Sequence, residues 1–169
     1  INFHNLLTAE PRGRNPCLMD ALKRTGLAER TGRGIDRIFE GALNYGRPLP
    51  DYSRSNRRGV SVLLPRSVPD KAFVELLAEE RERSGKSMSL DGLLILDKLK
   101  SERRCGFDVL SGSLDMSDQR LRTVLGQLTE AGLVESAGVG ARRTYMLGAK
   151  VYRRSGRAME YVRQSDIDR

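Results

Sequence analysis

The sequence predicts an α+β protein built in parts: a small α+β domain fragment over residues 1–66, a helical linker over 67–86, a winged helix-turn-helix module over 87–150 and a basic tail over 151–169. Three observations predict it. Leu, Val and Ile recur at helical spacing in separate stretches, short apolar runs closed by Pro or Gly interrupt them, and aromatic residues make up only 5% with no Trp. Cores must then be small aliphatic layers, and 169 residues suffice for one ordinary domain or two small ones.

The first element is a helix over residues 15–25. Asn15 can cap its free N–H groups, Pro16 suits the first turn, Leu18, Ala21 and Leu22 form an apolar face, and Gly26 supplies a left-handed stop. A second helix is expected from Gly34 or Ile35 to Tyr45, with Ile35, Ile38, Phe39 and Ala42 on one side; Gly46 ends it and Pro48 and Pro50 forbid continuation. The run from Val60 to Leu64, closed by Pro65, reads as a strand. Pro69 and Asp70 open a third helix in which Phe73, Val74, Leu76 and Leu77 can pack, whereas the charged run from Glu79 to Arg83 reads as a solvated face.

The next module can be laid out in full. Ser89 caps a helix carrying Leu90, Leu93, Leu94, Leu96 and Leu99, Cys105 to Phe107 can pair as a first strand, and Asp108 caps a short helix through Leu114. After a turn at Asp115 and Met116, Ser117 caps a third helix whose Leu121, Val124, Leu125 and Leu128 share one face, with Gly132 as its stop. Leu133 to Glu135 and Thr144 to Leu147 are strands joined by a Gly-rich basic tip. Helix, strand, helix, turn, helix, hairpin is the winged-helix order. In the tail, Val151, Tyr152, Met159, Tyr161 and Val162 are docking points for a short helix or a partly disordered end.

A net charge of +8 favours a polyanionic partner, because each basic side chain beside a phosphate releases counterions. Most of the surplus lies in residues 1–69, with 12 basic and 6 acidic side chains, while residues 87–150 carry 9 and 8. Cys17 and Cys105 form no CxxC pair, His4 is the single histidine, and neither a phosphate loop nor zinc spacing occurs. The expectation is a DNA-binding protein and not an enzyme, with no catalytic residues, no metal, no membrane span and a cytoplasmic location. The chain begins at Ile1, which suggests a piece of a longer protein.

On the third helix of the module, Gln119, Arg122, Thr123 and Gln127 face away from the leucine stripe, with Arg120 on its flank and Ser117 at its start. Gln and Arg present paired donors and acceptors to base edges, and Thr can touch base or phosphate. Any amphipathic helix exposes such residues; the helix-hairpin order around this one tips the reading to duplex DNA. Arg142 and Arg143 on the tip suit phosphates or the minor groove. A homodimer would suit symmetric half-sites, although no heptad announces an interface. Thr31, Gly32, Arg33, Gly34 and Ile35 place glycines at a helix start, where N–H groups can face a phosphate or where a tight turn simply needs them.

The ordered pattern Arg14-Asn15-Pro16, then Ala21 through Gly26-Leu27-Ala28-Glu29 to Gly32-Arg33-Gly34-Ile35-Asp36-Arg37-Ile38, resembles a signature in bacterial proteins labelled transcriptional regulators or RecG-related ATP-binding proteins, which carry a Schlafen AlbA-type domain upstream. The resemblance spans residues 1 to about 65. It implies a fold akin to the histidine-kinase-type ATPases and a nucleotide, ATP, near Asn15, Gly32 and Gly34; the residues by themselves ask for no cofactor. Two alternatives stay open: an ATP-binding regulatory domain whose winged helix transmits a conformational change, and a protein-interaction module.

Overall fold

The computed structural model describes residues 7, 10, 13–28, 32–56, 58–114 and 116–154. Among these the chain is α+β, with seven α-helices and one three-stranded antiparallel sheet. Thr31, Arg57, Asp115, His4 and the expected docking points Met159, Tyr161 and Val162 lie outside the described residues.

Helix α1 (Pro16–Arg24) is punctuated as its sequence demands: the Asn15 side chain accepts from the Leu18 amide at 3.0 Å, and Gly26 follows with φ +74°. Its expected apolar face, however, buries nothing, and Leu18 stays exposed. Amphipathic spacing makes a helix with one apolar side; it does not supply the opposing layer. Helix α2 (Arg33–Asn44) buries Phe39 and Leu43 and packs against α4 (Leu90–Glu102), while the Phe39 ring stacks on buried Tyr52 with centroids 6.2 Å apart.

The strand expected from Val60 to Leu64 does not form. Those residues are extended, but they meet the chain only at one isolated bridge, Asp51 to Leu63, with reciprocal backbone hydrogen bonds of 2.9 Å. Two ladder bonds and one hydroxyl, that of Ser55 bonded to both backbone groups of Ser61, hold an arm that no neighbouring strand extends among the described residues.

Gly46 joins this region to the next. Its carbonyl accepts from the Asp70 amide at 2.9 Å, and a Cβ added there would stand 2.7 Å from the Asp70 carbonyl oxygen. Asp70 then caps α3 (Lys71–Ser84) by accepting from the Phe73 amide, and Lys100 of α4 reaches both the Asp70 carboxylate, at 2.5 Å, and the face of the Phe73 ring. The helix expected as a linker thus buries Phe73, Leu76 and Leu77 in the same cluster as α4. Its charged half also departs from expectation, because Glu80 is buried. That carboxylate takes the Arg83 guanidinium in a two-pronged pair and the Lys150 ammonium at 3.6 Å, and the basic neighbours hold it below the usual glutamate range.

Helix α4 is the centre of the packing. Leu93, Ile95, Leu96 and Leu99 are fully enclosed, and α2, β1, α5, α6 and β3 all touch the helix. Strand β1 (Arg104–Gly106) starts one residue earlier than expected, and α5 (Phe107–Leu114) follows at once, so Asp108 lies in its first turn instead of capping it. Helix α6 (Asp118–Glu130) is capped by Ser117 and buries Leu121, Val124, Leu125 and Leu128. Strands β2 (Val134–Ala137) and β3 (Thr144–Leu147) form the hairpin, and β1 adds to β3, giving the order β1-β3-β2 with Cys105 opposite Tyr145 and Ser136 opposite Tyr145 on the other side.

At the start of the tail, of the two expectations, the short helix is the one that forms, with Val151 and Tyr152 as its docking points. Helix α7 (Ala149–Arg154) buries Val151 and Tyr152 and packs against α3, with Arg154 paired to Glu79 and Glu75. Two apolar side chains on a charged single turn sufficed, because α3 offered both an apolar surface and carboxylates.

Candidate nucleic-acid interface

The stripe of α6 that faces inward is aliphatic throughout, which forces Gln119, Arg122, Thr123, Gly126 and Gln127 to the outside; all five are exposed. Ser117 is consumed by capping, its hydroxyl accepting from the Arg120 amide at 3.4 Å. Thr123 donates its hydroxyl to the Gln119 carbonyl at 3.0 Å. Gly126 opens a gap in the middle of this face, since nothing lies within 4 Å of where its Cβ would be.

The two arginines of α6 have different surroundings. Arg120 is clamped by Asp91, a buried carboxylate in the first turn of α4, through a two-pronged pair that includes Nη2 to Oδ1 at 2.8 Å. That geometry spends Arg120 on fixing α6 against α4. Arg122 instead lies over the Phe107 ring, 4.5 Å from its centroid, and within 3.8 Å of Asp118 one turn back. The stacked guanidinium remains exposed, so ring and carboxylate restrict its rotamers without hiding its donors.

The hairpin tip is a constructed turn. Gly138 and Gly140 both take positive φ, and a Cβ on Gly138 would stand 2.7 Å from the Arg142 carbonyl oxygen. A short 3-10 turn (Gly140–Arg142) follows, and Val139, Arg142 and Arg143 are all exposed. Neither arginine makes an ion pair among the described residues, unlike Arg120, Arg122 and Arg154. Lys150 and Arg153 lie just beyond β3 beside Arg154, lining a shallow hollow.

The supporting residues Asp91, Phe107 and Asp118 escape sequence reasoning. Only the i, i+4 spacing of Asp118 and Arg122 carried a local signal; Asp91 lies 29 residues from its partner.

Each of the residues implied for a nucleotide has a local capping or backbone role of its own. Asn15 is engaged as a helix cap, Gly32 sits with φ +72° immediately before α2, and Gly34 lies exposed inside the first turn of α2 with ordinary helical backbone. Of the two glycines at this helix start, Gly32 is therefore the one whose backbone needs glycine, and Gly34 does not. Burial raises the Cys105 thiol, and the Glu102 charge raises it further, so this sulfur is held as the neutral thiol; Cys17 is an exposed free thiol. Among the described residues, no group of three or more His, Cys, Asp or Glu could hold a metal ion, and no helix is long and apolar enough to cross a membrane.

Residues 1–64 match the family described as "Putative ATP-dependent DNA helicase recG C-terminal". The N-terminal region is thus similar in sequence to that family, over less than half of the chain. No curated protein matches the chain. Among solved structures, the chain resembles the crystal structure of the DIP2311 protein from Corynebacterium diphtheriae, at 19% identity and a TM-score of 0.66, over 96% of this chain and 32% of that one. The likeness is one of fold, and the chain spans about a third of the length of that protein. The family match stops short of α3, whereas the likeness of fold extends over nearly the whole chain.

Proposed function

We propose that residues 87–150 form a winged helix-turn-helix that binds duplex DNA, with α6 in the major groove and the β2–β3 tip as the wing, and that the chain acts as a transcriptional regulator in the cytoplasm and not as an enzyme. The observation that carries the reading is the order α4, β1, α5, α6, β2, β3 closed by a β1-β3-β2 sheet, with an aliphatic inner face on α6 and an outer face that is polar apart from Gly126. Arg122, held over Phe107, and Gln119 and Gln127 supply base-edge contacts. Arg142 and Arg143 supply phosphate contacts, and Ser117 and Arg120 set the position of the helix.

Fluorescence anisotropy over a salt series tests this. Replacing Arg142 and Arg143 with Ala should weaken binding to all sequences alike and reduce the salt slope by about 2. Arg122→Ala should cost about 1–3 kcal/mol on the preferred site and relax its sequence preference. If binding survives both changes but is lost when Arg54 and Arg58 are replaced, the DNA site lies on residues 1–66 instead.

The family match also favours a second reading, a nucleotide held by residues 1–64 with the module from α4 to β3 as transmitter. The uncapped N–H groups at the start of α2 after Gly32 are what could meet a phosphate. Absence of heat on titrating millimolar ATP and magnesium would remove it.

A further inference from the structure

Arg122 is held at two points by one neighbouring helix. Phe107 opens α5, and its ring lies beneath the Arg122 guanidinium, whose Cζ atom is 4.5 Å from the ring centroid. One turn further along α5, the Ser111 hydroxyl donates to Oδ1 of Asp118 at 3.0 Å, and Oδ2 of the same carboxylate stands 3.8 Å from Nη2 of Arg122. Two pairs at i, i+4 spacing thus meet across the turn, Phe107 and Ser111 on α5 with Arg122 and Asp118 on α6.

The support is itself fixed. Gly106, the residue before Phe107, pairs with Thr144 in the sheet, and the Phe107 ring is partly buried against the core. Arg122 nevertheless keeps 68% of its side chain exposed. A guanidinium meets a ring through its face, whereas its five N–H donors lie in its plane. Stacking therefore settles where the charge sits and leaves the donor fork for another partner. A long side chain ordered only on binding loses rotamer freedom at that moment; here part of the ordering comes beforehand. An apolar ring that needed only a cover would be served by the stem of any long side chain, which gives no reason for the carboxylate that Ser111 holds beside the same cation.

On the reading of α6 as the helix that enters the major groove, we propose that Arg122 reads a guanine and that Phe107, backed by Ser111 through Asp118, is the positioning residue that fixes it there. Guanine presents two acceptors side by side in the major groove, O6 and N7, which match a planar donor fork. Arg122 lies near the N-terminal end of α6, the end that recognition helices bring to base edges.

Selection from a pool of randomised duplexes, with the bound fraction sequenced for each variant of the 169-residue chain, tests it. The unaltered chain should enrich duplexes that share one guanine, and Arg122→Ala should lower the preference for that guanine by about fivefold or more while sparing the other positions. Phe107→Leu, which keeps an apolar side chain and removes the ring face, should lower it about two- to fivefold at the same position, and Phe107→Tyr should retain it. In the Arg122→Ala background, Phe107→Leu should change the preference no further, because a residue acting through Arg122 has nothing left to position. Loss spread evenly over all positions, or a further loss in the double variant, would overturn the positioning role and make Phe107 a support of the fold. Guanine preference kept in Phe107→Leu but lost in Arg122→Ala would overturn that role and leave the DNA reading standing. A uniform loss in Arg122→Ala, with a salt slope lower by about 1, would make Arg122 a phosphate contact and overturn the guanine assignment. If the unaltered chain retains no duplex above background, the DNA reading fails and the proposal fails with it.

Discussion

The two halves of the chain treat their apolar side chains differently. In residues 13–68, Leu18, Leu27, Ile38, Tyr45, Val60, Val62, Leu63, Leu64 and Val68 are exposed, and Phe39, Leu43 and Tyr52 are the large apolar side chains that become buried. From Lys71 to Arg154 the proportions reverse, and Val109 and Val139 are the exposed large apolar residues among those described. Composition does not explain the contrast, since both halves carry amphipathic helices and short apolar runs. What differs is the presence of an opposing layer: α4 is met by α2, α5, α6 and the sheet, whereas α1 and the 60–64 arm face nothing in the described chain. Apolar patterning marks a surface for burial, and only a second surface completes it.

The contrast is broken most directly by paired truncations. Leu96→Ala, at a fully enclosed position of α4, should cost about 2–5 kcal/mol, and Leu64→Ala should stay within about 0.5 kcal/mol. Urea unfolding of both variants checks it, and comparable losses would mean that the arm is covered in solution.

A smaller effect separates two glycines. Gly46→Ala should destabilise by about 1–3 kcal/mol, because a methyl group meets the Asp70 backbone and the residue has φ +63°. Gly34→Ala should be neutral or stabilise by up to about 1 kcal/mol, since the site is open and helical. A fall in thermal stability for Gly34→Ala would show that the start of α2 contacts something outside the described residues.

The smallest effect sharpens how α3 is joined to α7. Glu80 has its pKa lowered in the folded state, by Arg83 first and Lys150 less, against burial that opposes the shift. Its contribution is therefore complete above the ordinary glutamate value of 4.5 and is lost as pH falls through the lower folded value. Glu80→Gln should cost about 1–2 kcal/mol at pH 7, and the gap to the unaltered protein should close as the pH drops below that range. Thermal melts across pH 3 to 7 read it out; a gap that persists in acid would assign the loss to packing and not to charge.

Much of the candidate interface, and of the helix ends elsewhere, is legible in the order of the residues. The caps Asn15, Ser89 and Ser117 each bond an amide three residues on, so their chemistry is complete within one turn. The outward face of α6 follows from 100° steps around its leucines, and the hairpin tip from its glycines. Arg120 is legible as polar and flanking, but its partner Asp91 belongs to another helix, and the pair turns an apparent contact residue into a structural clamp.

What the sequence by itself determined is therefore the set of elements whose causes are local: where helices start and stop, which face of each is apolar, and the α+β class. The tertiary structure alone decided which apolar faces found a partner. Spacing made α1 amphipathic and residues 60–64 strand-like, yet a strand needs a neighbour to hydrogen-bond and a core face needs a layer to meet, and neither requirement is written in the segment's own residues. Tertiary contact likewise buried Glu80 within a charged run: Arg83, one turn on in the same helix, is a local partner, but Lys150 comes from beyond β3, and the short helix that the tail's residues allowed became α7 because α3 was there to pack against.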